Sequence, residues 1–159
     1  MRVEILAVGR LKDEAEASIV ERYRRRFDQT GRTSGLGPLA VTEFPESRAS
    51  TATERKADEA SRLLKAAGSS ALIVLEVTGR ALTSEEFAAH FRKLADGGAK
   101  SCAILIGGPD GHGPAVLAAP SLKLSLGALT LPHGLARVII SEQLYRCATI
   151  LANHPYHRS

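Results

Sequence analysis

The 159-residue chain contains no tryptophan and one methionine, and aromatic residues make up 4% of it. A core must therefore be built from Ala, Leu, Ile and Val. Cysteine is scarce too: Cys102 and Cys147 show no CxxC spacing, and a reduced pair is expected rather than a disulfide. No apolar stretch reaches the roughly 20 residues of a membrane-spanning helix. Arg2 and Glu4 interrupt the first apolar run, so no signal peptide is expected and the protein reads as cytoplasmic. Internal repeats, low-complexity tracts and a linker are missing, which predicts one domain over residues 1–159. His154 and His157 have no cysteine or carboxylate beside them at ligand spacing, so no metal site is expected. Charge is scarce in one region only. Between Ser101 and Ala136 the charged residues are Asp110 and Lys123.

What is present alternates between strand-like and helix-like segments. Residues 2–9 (RVEILAVG) form a short apolar run ending in glycine, as a buried strand does. A helix capped near Asp13 is predicted to about Gln29, with Val20, Tyr23 and Phe27 on one stripe. Its Arg22, Arg24, Arg25 and Arg26 are either a phosphate-binding patch or a solvated face balanced by Glu14, Glu16 and Glu21, and the balance favours the solvated face. Residues 31–37 (GRTSGLG) read as a loop and 38–44 as a second strand. A helix from Ser50 or Thr51 to Ala67 is expected to turn Ala57, Ala60, Leu63, Leu64 and Ala67 inward. Residues 70–77 (SALIVLEV) read as a third strand closed by a Thr78–Gly79 turn. Thr83 and Glu86 have capping-box spacing for a helix to Ala95, and residues 101–106 read as a fourth strand. A further short strand precedes residues 127–132, and a long helix leads into the terminal HPYHRS. The uninterrupted apolar third and fourth strands suit a parallel sheet covered on both faces, so the fold class is α/β.

In such a sheet ligands bind beyond the carboxyl ends of the strands. Residues 75–80, 107–113 and 126–134 qualify. A pocket made by the last two must bind through main-chain groups and apolar walls. GGPDGHG is neither GxGxxG nor GxxxxGK[ST], which disfavours nucleoside triphosphates. Spacing alone leaves both readings open, a pocket loop or simply the tight turn that Pro-Asp-Gly makes.

LIGGPDG, followed by SLGALTLPHGLARVIISEQLYRCATILANHPYHR, resembles the C-terminal half of the RlmH family. These are SPOUT (α/β-knot) enzymes that methylate N3 of a pseudouridine in large-subunit (23S) ribosomal RNA with S-adenosylmethionine. The resemblance runs from about Ala103 to the end; the N-terminal half shares only AVG, YRRRF and VLEVTG. The 31–38 loop is this chain's own, and Gly127 stands where many relatives have serine. The resemblance implies a C-terminal trefoil knot, a homodimer, and a cofactor held near the subunit interface. By position it assigns cofactor contacts to Leu75, Gly107, Leu126, Gly127, Ala128, Leu129, Thr130 and Leu131. Its RNA partner is expected to be the large-subunit ribosomal RNA in the assembled ribosome.

Methyl transfer to an imide nitrogen needs in-line positioning and removal of a proton. Catalytic candidates are His157, Tyr156, Arg158 and Glu142, with Arg146 and His133 beside them. His157 or Glu142 could take the proton, Arg158 or Arg146 could hold phosphate or imide charge, and Tyr156 could stack on the base. Glu142 and Arg146 are also spaced to pair along one helix. Two other functions compete: a non-catalytic RNA-binding or ribosome-assembly protein of the same fold, and a dinucleotide enzyme. The missing fingerprint after the first strand disfavours the second.

Overall fold

The computed structural model describes residues 1–118 and 120–156. Ten elements follow in order: β1 (Arg2–Val8), α1 (Glu14–Ser34), β2 (Leu39–Phe44), α2 (Ala52–Ala67), β3 (Ala71–Ala81), α3 (Ser84–Asp96), β4 (Ser101–Ile106), α4 (Pro114–Leu117), β5 (Leu122–Ser125) and α5 (His133–Leu151). The five strands form one sheet in the order β2-β1-β4-β3-β5, and every pairing is parallel. The α/β class and the parallel sheet expected from the apolar strands are therefore present.

Alternate residues of the central strands feed two cores. Ile5, Ala7, Cys102, Ile104 and Ile73 pack with Phe27 of α1, Phe91 of α3 and Ile140 and Leu144 of α5. Leu6, Val8, Ala103, Leu105 and Val74 pack with Ala60 and Leu63 of α2 and Val116 of α4. Burial of both faces explains why β4 and the Ile5–Val8 end of β1 lack polar alternation. Both cysteines are free and buried, and burial pushes the Cys102 thiol up to about 12 and the Cys147 thiol further.

Local chemistry sets the helix starts. Asp13 accepts from Glu16 N–H, and Thr51 and Thr83 each complete a capping box with Glu54 and Glu86; such caps are each worth about 1 kcal/mol.

Four expectations change. The helix read as ending near Gln29 runs on to Ser34 and takes in the front of the 31–37 segment. Gly31 is a close approach, because a Cβ there would lie 2.5 Å from the Leu36 carbonyl oxygen. Gly35, left-handed at φ 73°, is what stops the helix. Thr78–Gly79 does not end β3; the strand continues to Ala81, and Gly79 lets it pass the Lys123 main chain, 2.7 Å from where a Cβ would stand. Ala57 is exposed and Glu59 is buried instead, because Glu59 Oε1 accepts the Ser47 N–H at 2.8 Å and turns that helix face toward the segment before α2. The short α4, with proline in its first turn, was not foreseen.

Candidate functional site

Parallel pairing puts the carboxyl ends of β1, β4, β3 and β5 on one edge, where three connections meet. The β3–β5 ladder breaks there. Leu75 and Arg80 both oppose Leu124, so residues 76–79 loop out between them. That excursion leaves main-chain groups outside the ladder, as a ligand-binding edge requires. Beside it lies an open cleft, lined by Leu75, Glu76 and Val77 from β3, by Gly107, Gly108, Gly111 and His112 after β4, and by Leu126, Gly127, Leu129 and Leu131 after β5. His133 and Ala136 of α5 close one side.

Of the eight expected cofactor contacts, Leu75, Gly107, Leu126, Gly127, Leu129 and Leu131 line this cleft. Ala128 and Thr130 are exposed and do not line it.

Two glycines have specific reasons to be there. A Cβ on Gly107 would sit 3.1 Å from the Gly111 carbonyl carbon and 3.3 Å from the His112 ring. Gly127 has φ 123°, a conformation L-residues rarely adopt, and its free side is open. Ser125 Oγ stitches this turn by accepting from Gly127 N–H at 3.2 Å.

The 107–113 loop is anchored from below. Arg55 of α2 makes a two-point contact with Asp110, Nε to Oδ2 at 2.6 Å and Nη2 to Oδ1 at 3.2 Å. The Arg55 guanidinium holds the Asp110 carboxyl below its ordinary range. Glu59 Oε2, buried and without a hydrogen-bond partner, stands 2.8 Å from where a Gly108 Cβ would be. Only glycine fits between them.

Sequence reasoning named the loops but missed Glu76, Val77, Gly108 and His112 as individual lining residues. His112 is buried, and burial lowers its pKa. Glu76 and the carbonyls of Leu75 and Leu105 oppose that shift, although neither ring nitrogen completes a hydrogen bond. The signal for His112 lay in GGPDGHG itself, where an imidazole follows the turn glycine. For Glu76 no signal existed, because its exposure to the cleft comes from the broken ladder.

Of the expected catalytic groups that are described, His133 lines the cleft, whereas Glu142, Arg146 and Tyr156 do not. Glu142 is six residues along α5 from Ala136, about 9 Å at 1.5 Å per residue, and does not line the cleft. Its Oε1 accepts from Arg146 Nε at 3.0 Å and Nη2 at 2.6 Å and from the Tyr156 hydroxyl at 3.2 Å. Its Oε2 accepts from Gln143 Nε2 at 2.7 Å. Tyr156 packs on Tyr145 with ring centroids 4.6 Å apart, and the Arg146 guanidinium lies 5.1 Å from its centroid. Burial first, then Tyr23 and Glu142, push the Tyr156 phenol up to about 12. His157 and Arg158 lie outside the described residues.

Among the described residues, no three His, Cys, Asp or Glu side chains gather as a metal site would need. No described helix is long and apolar enough to cross a membrane.

The model of a family described as predicted SPOUT methyltransferase matches residues 1–157. The ribosomal RNA large subunit methyltransferase H of Brucella anthropi is 51% identical over 160 residues, covering all of both chains. The proteins of that name from Brucella ovis and Brucella suis biovar 1 are 49% and 48% identical over 169 and 174 residues, again covering both chains in full. With the match reaching all but two residues, and a parallel sheet whose loops build a cleft at its carboxyl edge, the chain belongs to the SPOUT methyltransferase family.

Proposed function

We propose that the protein transfers a methyl group from S-adenosylmethionine to N3 of a pseudouridine in the large-subunit (23S) ribosomal RNA, in the cytoplasm, as a homodimer and on the assembled ribosome. The observation that carries this is the cleft at the carboxyl edge, built from main-chain turns and apolar side chains in a chain of a methyltransferase family.

The residues present suit the cofactor. Leucines at 75, 126, 129 and 131 supply apolar walls, and residues 76–79 and 126–131 offer main-chain donors and acceptors outside the ladder. That combination is how a mostly apolar pocket orients a purine and a ribose. Gly107 and Gly127 keep the cleft clear of side chains. Glu76, a carboxylate in the lining, complements a cationic ligand. When bound, S-adenosylmethionine supplies a methyl group on a positively charged sulfur.

The chain's other task is to present the target base and manage its proton. Glu142 is engaged by Arg146, Gln143 and Tyr156, which fits a positioning carboxylate better than a free base. With its pKa raised to about 12, Tyr156 stays a phenol at neutral pH and acts as a donor or a stacking surface. That leaves His157 for the proton and Arg158 for phosphate or the developing imide charge. The knot is part of the same family reading.

A second copy completes the site. Val77, Leu129 and Leu135 are exposed beside the cleft, Leu129 at 80%. Helix α5 carries apolar residues on two faces, with Ile140 and Leu144 in the core and Val138 and Ile139 only partly covered. A helix of that kind needs cover on its second face. A partner copy would also bring a terminal segment to a cleft that Tyr156 does not line in its own chain.

The test is to map N3-methylated pseudouridine in ribosomal RNA from cells lacking the gene and from complemented cells. One modification should vanish and return. An unchanged map, or wild-type protein that does not bind S-adenosylmethionine in calorimetry, overturns the reading.

A further inference from the structure

We propose that Arg22 and Arg26 of α1, held on the Tyr23 and Tyr145 rings, form a docking site for the sugar-phosphate backbone of the ribosomal RNA next to the terminal segment. This rests on the ribosomal RNA reading above and adds where on the molecule the RNA lies.

The run RYRRR contains two kinds of arginine. Arg24 donates to Glu21 at 2.6 and 2.8 Å and to Asp28 at 3.0 Å, and Arg25 donates to Glu21 at 2.7 Å. Their charge is largely cancelled on the helix surface. Arg22 and Arg26 are exposed and pair with no carboxylate among the described residues. Aromatic rings hold them instead. Arg22 Cζ lies 5.4 Å from the Tyr23 centroid, and Arg26 Cζ lies 5.9 Å from Tyr23 and 6.0 Å from Tyr145. A ring orders a guanidinium without cancelling its charge or using its N–H donors, which remain free for a phosphate. The two arginines are four residues apart on one helix face, about 6 Å along the axis.

Position ties the patch to the chemistry. Tyr23 and Tyr145 have centroids 6.0 Å apart, and Tyr145 and Tyr156 are 4.6 Å apart. The cations therefore sit at one end of a row of rings whose other end is the terminal segment. Two exposed, unneutralised guanidinium groups ordered by aromatic rings fit a polyanionic backbone better than an apolar protein face.

The test uses the full-length protein and ribosomes purified from cells lacking the gene. The double variant Arg22→Gln, Arg26→Gln should raise KM for ribosomes about tenfold and lower the slope of log affinity against log salt by about 1.4, roughly 0.7 per lost phosphate contact on unpaired RNA. Its affinity for S-adenosylmethionine and its oligomeric state should match wild type. Lys65→Glu on α2, across the sheet, changes the net charge by the same amount and should leave KM unchanged. A double variant with wild-type KM and salt slope overturns the inference, as does an equal effect from Lys65→Glu. Loss of the oligomer in the double variant overturns it too and makes the patch an interface between copies. Wild-type protein that methylates no ribosome fails the functional reading itself, which is a separate and recognisable result.

Discussion

The Tyr156 hydroxyl donates to Glu142 Oε1 at 3.2 Å, and the same oxygen holds Arg146 Nη2 at 2.6 Å. One carboxylate thus fixes both an aromatic ring and a cation where α5 passes into the terminal segment. Replacing Tyr156 by Phe removes the donor and keeps the ring. Transfer to ribosomes should fall about 100-fold, the low end of what a directed polar group contributes, while calorimetry shows unchanged affinity for S-adenosylmethionine. Because the phenol's pKa is raised in the folded state, to about 12, its contribution to stability is full below pH 10 and is lost as pH rises through 12. A spectrophotometric tyrosine titration of the Phe variant should lack one group ionising near 12. If the group missing from the variant's titration is one that ionises near the ordinary tyrosine value of about 10, the hydrogen bond leaves the account.

Gly107 faces the other side of the chemistry. With Gly111 and the His112 ring 3.1 and 3.3 Å from its missing Cβ, valine at this position pushes the 107–113 loop into the cleft. Affinity for S-adenosylmethionine should weaken at least 100-fold, about 2.7 kcal/mol, with the oligomer intact by size-exclusion chromatography. Retained affinity would detach the loop from cofactor binding.

Asp110 tests whether that loop must be anchored. Asparagine cannot complete the two-point ion pair with Arg55. The amides of residues 107–113 should exchange hydrogen faster in the variant, and cofactor affinity should fall several-fold. The carboxyl's pKa is lowered in the folded state. Its stabilisation is therefore present above the ordinary carboxylate range and lost as pH falls, so wild type and Asp110→Asn should converge in acid. Equal exchange rates at neutral pH would show that the loop holds its shape unaided.

Most of the fold could be read from periodicity because its determinants are local. ALIVL and CAILI are buried on both faces, and Thr51 and Thr83 announce their helices by capping. What could not be read depends on partners remote in sequence. Gly31 and Gly79 resemble loop glycines until Leu36 and Lys123 are placed against them. Glu59 looks like a solvated helix residue until Ser47 and Gly108 close over it. The cleft divides the same way. Its uncharged turns are visible in GGPDG and LGALTL, whereas Glu76 faces it only because β3 and β5 fall out of register. Separation of Glu142 from the cleft within one chain is likewise a matter of position along α5, which composition does not carry.

Arg137 offers an asymmetric test of how α5 is seated. Its side chain is 2% exposed, pairs with Glu43, which is 32% exposed, and donates to the Gly9 carbonyl at 3.0 Å. Burial pulls its pKa down while Glu43 pushes it up. The two ways of breaking the pair differ in what they leave behind. Arg137→Met leaves a carboxylate that water can reach, and methionine fills much of the vacated volume. Glu43→Gln leaves a guanidinium in the interior with its counter-charge gone, a situation that costs about 3 kcal/mol or more. Urea unfolding should therefore find Glu43→Gln the more destabilised variant, even though it is the smaller change in shape and the more exposed position. The opposite order would mean that the Gly9 carbonyl and nearby Glu16 suffice to hold the buried cation, and that Glu43 serves chiefly to cap the Leu11 N–H it accepts at 2.9 Å.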